Sequence, residues 1–133
     1  MTPDPTALAL ILCEQVIVDQ QSQNPSPINI FTGMAVDTFP SPPQRLSVFA
    51  ALTDTQGAGR VELRCLRLDT GDQFYSQQYP IEFPDRSTVV NVHIRVRKIR
   101  FPVAGVYEFV LLVDDHLIGQ RRLRVYNAIS SGE

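Results

Sequence analysis

Apolar and polar residues alternate in short runs along most of this chain. The clearest run has an apolar residue at every second position and a polar residue between: Val90, Asn91, Val92, His93, Ile94, Arg95, Val96 and Arg97. Successive side chains of a β-strand point to opposite faces, so such a run predicts a strand with one buried face. No segment combines apolar residues at a 3.6-residue spacing with helix caps. The pattern therefore predicts an all-β fold.

Eight segments of this kind are separated by turn residues, and we predict a strand in each. The segments are Ala7–Asp19, Ile28–Phe39, Leu46–Asp54, Arg60–Asp69, Gln73–Phe83, Thr88–Phe101, Val106–Val113 and Leu117–Tyr126. In the fourth segment the apolar residues change parity near Cys65, which predicts a β-bulge. Strands of this spacing predict a sandwich or a barrel. The length of 133 residues suits one domain, 1–133, with an ordered core expected over roughly residues 7–126.

The sequence around Tyr107 favours a sandwich. In immunoglobulin-like sandwiches a tyrosine near the start of the penultimate strand follows a corner, and its hydroxyl bonds back to upstream backbone. Here Gly105 ends a Pro-x-x-Gly turn, and Tyr107 and Phe109 follow on one face. We therefore predict a single immunoglobulin-like β-sandwich of about eight strands with little or no helix. Gly105 and Tyr107 are structural residues in this prediction.

Composition limits the classes of partner and the cellular compartment that we expect. The net charge is −2, whereas a general nucleic-acid binder carries a large basic excess, so nucleic acid is not an expected partner. Residues 1–85 carry 4 Arg and no Lys against 10 Asp or Glu, and residues 86–133 carry 8 Lys or Arg against 4 Asp or Glu. No basic region precedes the short apolar stretch Ala7–Cys13, and no run is long enough to span a membrane. We expect a cytoplasmic protein without membrane contact, in which Cys13 and Cys65 stay reduced.

Catalytic and metal-binding chemistry has little support in the sequence. Cys65, His93 and Asp69 could form a thiol nucleophile with a base and an acid, but His93 lies on the polar parity of its segment and Cys65 on an apolar one. The turn from Asp114 to His116 offers three ligand types, yet adjacent residues of a tight turn rarely converge on one ion. No hydrolase, metalloprotease or nucleotide-binding motif is present. We expect no enzyme, no catalytic residue, no metal and no cofactor.

A basic patch is the first candidate surface. Its residues face outward in the sixth and eighth predicted strands: His93, Arg95, Arg97, Arg122 and Arg124. Charged outward faces also serve simply to keep a sheet soluble. In an immunoglobulin-like topology these two strands usually lie in different sheets, so whether the residues form one patch stays open.

An apolar surface is the second candidate. Val110 and Leu112 are consecutive outward positions of the seventh predicted strand, next to Glu108, and Phe49 opposes the core parity of the third. Neighbouring exposed apolar residues on a central strand call for a cover. The cover is either the long N-terminal strand folding across or a second subunit. We take Val110, Leu112, Glu108 and Phe49 as a candidate interface.

Three stretches make the chain resemble a family of small uncharacterised bacterial proteins of unknown function. They are "CEQVIVDQ" (Cys13–Gln20), "FPSPPQRLSVFAALT" (Phe39–Thr53) and "GVYEFVLLVDDHLIGQRRLRV" (Gly105–Val125), and the resemblance covers most of residues 8–126. It implies a compact β-sandwich and supplies no catalytic residue, because these motifs are apolar and turn patterns.

The function predicted from all this is a non-enzymatic interaction or structural module that binds a protein partner or itself, as a homodimer. The alternative is a β-sandwich that binds a small ligand or a carbohydrate at its end loops. Tyr75 and Tyr79 share a parity in the fifth predicted strand and could form an aromatic platform for it, although no Trp is present to anchor a sugar.

Overall fold

A computed structural model describes residues 3–128, so the two ends of the predicted 1–133 domain lie outside the described residues. Its regular elements are nine strands: β1 (Thr6–Val18), β2 (Pro25–Ile30), β3 (Gly33–Val36), β4 (Gln44–Thr53), β5 (Gly57–Arg67), β6 (Gln73–Phe83), β7 (Val90–Ile99), β8 (Gly105–Val113) and β9 (His116–Asn127). Within that part of the chain, no helix is long and apolar enough to cross a membrane. The all-β prediction is confirmed.

The strands form two sheets, a four-stranded sheet in the order β2-β1-β4-β7 and a five-stranded sheet in the order β3-β9-β8-β5-β6. All pairs are antiparallel except β3 with β9, which are parallel. The predicted sixth and eighth strands, now β7 and β9, therefore lie in different sheets, as expected for this topology.

The prediction of one strand over Ile28–Phe39 is wrong, because the chain changes sheets within it. β2 pairs with β1 in one sheet, and β3 pairs with β9 in the other. At the crossing, the Phe31 N–H donates to the Leu12 carbonyl over 3.1 Å and the Arg124 N–H donates to the Thr32 carbonyl over 3.0 Å. One apolar run thus supplies two short strands, and its backbone groups find partners on both sheets.

The core lies between the two sheets and is filled by alternate residues of the long strands. Tyr107, Phe101 and Phe109 are its largest fully buried side chains. The register of β5 with β6 shifts between Cys65 and Leu66, which confirms the predicted bulge. A shift of this kind explains why the apolar residues of β5 change parity along the strand.

Tyr107 forms the predicted corner between β7 and β8. Its side chain is 1% exposed, and its hydroxyl donates to the Val103 carbonyl over 2.6 Å and accepts from the Val103 N–H over 3.3 Å. The ring packs edge-on against Phe101, with the centroids 4.8 Å apart. Gly105 has a φ of 155°, a conformation that side chains disfavour. The corner therefore depends on a glycine for its backbone and on Tyr107 for its hydrogen bonds.

Candidate functional site

A groove lies along one lateral side of the sandwich, between the edge strands β6 and β7. Each pairs with only one neighbour, β6 with β5 and β7 with β4, so each has one free edge. A cavity of about 690 Å³ separates them, and seven residues line it: Tyr75, Gln77, Tyr79, His93, Arg95, Arg97 and Lys98. A second cavity of about 360 Å³ continues it past Tyr79 and His93 toward Ile81, Val90 and Val92. We call the two together the β6–β7 groove.

The β6 wall of the groove is aromatic and amide-bearing. Tyr75, Gln77 and Tyr79 lie opposite the core residues of β5 in the ladder, so their side chains are on the inner face of the sheet. They remain partly exposed because no further strand of the other sheet covers them. The Tyr79 hydroxyl donates to the Gln77 side-chain oxygen, and the Gln77 amide donates to the Tyr75 hydroxyl. Burial, followed by the neighbouring Tyr79, raises the pKa of Tyr75.

The β7 wall is basic. Arg95, Arg97 and Lys98 line the groove, and the Arg95 carbonyl accepts a 3.4 Å hydrogen bond from the Gln77 amide. His93 has Nε2 3.1 Å from the Ser47 hydroxyl. Burial, and then the Arg95 charge, lowers the pKa of His93, so its imidazole is neutral at neutral pH. This wall therefore combines fixed positive charges with a free strand edge.

The positive charge extends onto the outer face of the four-stranded sheet. A cavity of about 570 Å³ there is lined by Glu14, Arg45 and Ser47 and shares Arg95 and Arg97 with the groove. We call Arg45, Arg95, Arg97 and Lys98 the cationic cluster. In residues 3–128 the ion pairs are formed by Arg60, Arg64, Arg67, His116 and Arg122, and by no member of the cluster. Glu14 lines the same cavity as three members of the cluster but forms no ion pair with them, so the cluster keeps a net positive charge.

The predicted basic patch is two surfaces. His93, Arg95 and Arg97 belong to the β7 wall, whereas Arg122 and Arg124 lie on the outer face of the five-stranded sheet. Arg122 is 3.7 Å from the Glu108 carboxylate, and the guanidinium of Arg124 lies 5.4 Å from the centre of the Tyr126 ring. The second surface thus has its own partners within the chain.

The candidate interface is likewise divided between the sheets. Val110, Leu112 and Glu108 lie on the outer face of the five-stranded sheet, and Phe49 lies on the outer face of the four-stranded one. Leu112 and Phe49 are each only 7% exposed. β1 pairs with β4 in the four-stranded sheet, so the suggested cover of Leu112 by the N-terminal strand is wrong. Around Leu112, the exposed apolar surface belongs to Leu117 and Val106, which are 58% and 39% exposed.

The thiol hypothesis finds no assembled site. Cys65 is fully buried in the core, and burial raises the pKa of its thiol. His93 instead contacts Ser47 on the outer face, and in the described residues no carboxylate hydrogen-bonds to His93. A serine nucleophile needs a base that a third group orients, so the Ser47–His93 pair lacks part of that arrangement.

The polar turn between β8 and β9 uses its ligand-type residues for contacts within the chain. Asp114 accepts the Arg60 N–H over 3.0 Å, Asp115 pairs with the Arg60 guanidinium over 2.9 Å, and His116 is 2.5 Å from Asp4. A cavity of about 310 Å³ adjoins them at this end of the sandwich. Among the described residues, no three His, Cys, Asp or Glu side chains are grouped to hold a metal ion.

Within residues 3–128, the groove joins residues that the sequence offers as separate candidates. Tyr75 and Tyr79 were candidates for a platform at the end loops, and His93, Arg95 and Arg97 for a basic patch. Gln77 completes the β6 wall and was not predicted, whereas Lys98 directly continues the predicted basic set after Arg97. The parity of Gln77 with the two tyrosines was the available signal, since it places all three on one face of the strand.

The topology defines the class of the protein as an immunoglobulin-like β-sandwich. Two sheets enclose one core, a tyrosine corner precedes the penultimate strand, and the strand after the first hairpin changes sheets to pair with the last strand. Residues 8–126 match a family of unknown function, DUF6941. The chain belongs to this family, and the resemblance seen in the sequence is confirmed.

Two further comparisons concern individual proteins. The crystal structure of an immunoglobulin-like protein from Pseudomonas aeruginosa is similar to this chain, with 12% sequence identity and a TM-score of 0.48. That similarity covers 92% of this chain and 97% of the other. No curated protein matches the chain.

Proposed function

We propose that the chain is a non-enzymatic interaction module that binds an extended segment of another protein in the β6–β7 groove. The observation that carries this proposal is that two free strand edges border one groove. A free edge presents unpaired N–H and C=O groups, and an extended peptide can add to it as a further strand.

The orientation of the backbone supports strand addition at β7. The Arg95 carbonyl accepts from Gln77 across the groove, so the backbone groups of Arg95 point away from β4. Every second residue of a regular strand directs its backbone to the same side, which gives His93 and Asn91 the same orientation, whereas the register with β4 shifts beyond Val96. An incoming strand would pair with these groups and lie over the uncovered face of β6.

The shape of the groove favours an extended ligand over a compact one. Its two cavities share Tyr79 and His93, so the groove follows β7, a strand of 10 residues. The tyrosines considered for a sugar platform lie along this lateral side. A peptide that pairs through its main chain contacts the groove along its whole length, whereas a small ligand occupies only one part of the groove.

A matched pair of variants tests strand addition. Ten-residue peptides that bind the protein are first selected from a displayed random library, and their affinity is measured for Arg95→Pro and Arg95→Gln. Both variants remove the charge, but only proline removes the N–H that faces the groove. We expect Arg95→Pro to lose about tenfold more affinity than Arg95→Gln, which corresponds to about 1.4 kcal/mol or roughly one lost hydrogen bond.

Hydrogen exchange locates the bound peptide. We expect the amides of Asn91, His93 and Arg95 to exchange more slowly when the selected peptide is bound. Selected peptides that leave these amides unprotected and bind both variants equally would contradict the proposal. A folding defect in Arg95→Pro is recognised from its thermal melt, and the exchange measurement on the wild type remains decisive.

A second copy of the chain is the other candidate partner, on the outer face of the five-stranded sheet. Leu117 and Val106 favour it because both are exposed on this face, Leu117 opposite Leu112 in the ladder and Val106 four residues before Val110 on β8. Burying an unpaired charge in an interface costs several kcal/mol, so Leu117→Lys should convert a dimer into a folded monomer. Leu8 has nearly the same exposure, 59% against 58%, but belongs to β1 in the other sheet, and Leu8→Lys is the control. Light scattering that finds a wild-type monomer over a hundredfold range of concentration rejects this candidate.

A further inference from the structure

The cationic cluster gives the groove a chemical preference. Elsewhere in the described chain, Arg60, Arg64 and Arg67 each pair with a carboxylate within about 3 Å, at 2.9, 2.8 and 3.1 Å. Arg95, Arg97 and Lys98 have no such pair, and Arg86 and Arg100 have none either, but the first three are distinguished by lying together along one groove. Like charges brought together on a sheet are destabilising unless an opposite charge lies beside them. The groove therefore favours a negatively charged ligand.

We propose that the occupant of the β6–β7 groove is a strand in which acidic residues alternate with apolar residues, an inference that rests on the strand addition proposed above. A strand added to β7 places alternate side chains on the two faces of the sheet. One set lies on the outer face beside His93, Arg95 and Arg97, where carboxylates pair with the cations. The other set faces inward over Tyr75 and Ile81, which are partly buried against the core.

The two halves of the groove refine the order of residues. The half near Lys98 is basic, whereas the half near Val90 and Val92 is lined by apolar side chains with Glu82 at its margin. The acidic residues of the occupant therefore concentrate at the Arg97 end of β7. The apolar residues matter most at the Val90 end, where burial of aliphatic surface stabilises the complex.

The same charges disfavour two other occupants. A second copy of β7 would bring its own cationic cluster close to this one, and like charges across a strand pair are destabilising. Single-stranded nucleic acid shares the attraction to the cluster, and it binds by stacking its bases on aromatic rings. Here the hydroxyls of Tyr75 and Tyr79 are bound to Gln77 on the inner face of the sheet, and the chain as a whole is acidic, with a net charge of −2. An acidic strand satisfies both the charge and the free edge.

The test uses the full chain and four fluorescent probes of equal length. Three are ten-residue peptides that alternate valine with glutamate, glutamine or lysine, and the fourth is a ten-residue oligothymidylate. Fluorescence anisotropy at low and high salt gives each affinity. We expect the glutamate peptide to bind about tenfold more tightly than the glutamine peptide, the lysine peptide not to bind, and the advantage to shrink at high salt.

Two double variants assign the effect to the cluster. Arg95→Gln with Arg97→Gln should lower the affinity for the glutamate peptide to that for the glutamine peptide. Arg122→Gln with Arg124→Gln removes the same charge from the other sheet and should leave both affinities unchanged. Equal binding of the three peptides, with slowed exchange at β7, overturns the acidic preference and leaves strand addition standing. Tighter binding of the oligothymidylate, or no binding of any peptide, overturns both.

Discussion

On the β1–β9 side of the sandwich the sheets end in two short strands, β2 and β3, which cover parts of the longer β1 and β9, whereas on the β6–β7 side two long edge strands face the groove. β2 covers the second half of β1, and β3 covers the end of β9. Between them, the Arg121 guanidinium donates to the Leu10 carbonyl over 2.9 Å and the Phe31 N–H donates to the Leu12 carbonyl over 3.1 Å. Across the groove, the Gln77 amide donates to the Arg95 carbonyl. The same fold thus has one closed side and one open side.

The difference shows two ways of managing an edge strand. The closed side satisfies its backbone groups with hydrogen bonds from neighbouring segments. The open side leaves them available but discourages uncontrolled pairing, since Pro80 removes an N–H from β6 and the cationic cluster charges β7. On the proposal made above, such an edge repels its own copy and accepts an acidic strand, so that it is selective as well as open.

The largest effect is expected from a residue that supports both sides. Tyr107→Ala should lower the free energy of unfolding by about 3–5 kcal/mol, because it removes a buried ring from the core. Tyr107→Phe keeps the ring and should cost about 1 kcal/mol for the lost hydrogen bonds. Denaturant titration measures both, and hydrogen exchange should show faster opening on the two sides alike. Small and equal losses for the two variants would contradict the corner assignment.

Replacing one apolar side chain by alanine on each side should show how tightly the two sides are packed. Leu10 is 4% exposed beneath the closed side, and Leu10→Ala should cost about 2–4 kcal/mol. Ile81 on the open side is only partly buried, so Ile81→Ala should cost about 1 kcal/mol. The measurement is again denaturant titration. Equal costs would show that the open side is as tightly packed as the closed one.

The hydrogen bond that caps the closed edge should have a smaller effect. Arg121→Met keeps much of the aliphatic stem but removes the donor to the Leu10 carbonyl, at a cost of about 1 kcal/mol. Arg122→Met, on the neighbouring exposed position, should stay within about 0.5 kcal/mol. Faster exchange of β1 amides in Arg121→Met alone would tie the effect to this edge. If the two variants are indistinguishable, the capping role of Arg121 is wrong.

The smallest effect is a pH dependence at the end of the closed side. The hydrogen bond and the charge of Asp4 raise the pKa of His116. A histidine whose pKa is raised on folding stabilises the fold below its ordinary value of 6.5, and this contribution disappears as the pH rises through the raised value. The protection factors at the start of β1, which are corrected for the intrinsic pH dependence of amide exchange, should therefore be higher at the lower pH. His93, whose pKa is lowered, acts on the whole fold in the opposite sense.

Asp4→Asn isolates the His116 effect, because it leaves His93 unchanged. The difference in β1 exchange between the wild type and this variant should be present at low pH and vanish above the raised pKa of His116. A difference that is independent of pH would mean that the contact does not depend on the charge of the imidazole.

The sequence predicts correctly the elements that depend on the local alternation of apolar and polar residues. The ends of β6 and the bulge at Cys65 follow from residue types along single strands. The Tyr107 corner follows from a turn and one aromatic residue. The division of Ile28–Phe39 into β2 and β3 could not be predicted in this way. Apolar alternation indicates which face of a strand is buried, but it does not indicate which sheet the strand joins.

The groove could not be predicted for a related reason. Alternation placed Tyr75 and Tyr79 on one parity and His93 and Arg95 on the polar parity of another strand. Residues predicted to face inward on one strand and residues predicted to face outward on another do not suggest a common site. They meet because β6 and β7 end their sheets on the same side of the sandwich, and this depends on the order of all nine strands.

The position of β9 has a consequence for the growing polypeptide. The strands of the four-stranded sheet are all synthesised by Ile99. In the five-stranded sheet, β9 lies between β3 and β8 and is the last of the nine strands to be synthesised. During synthesis β3 therefore waits for a partner about 90 residues downstream, since Gly33 pairs with Arg124. Until β9 leaves the ribosome, the core face of the four-stranded sheet is only partly covered. A nascent chain halted after Val113 should remain more open to proteases, and more dependent on chaperones, than one released after Asn127.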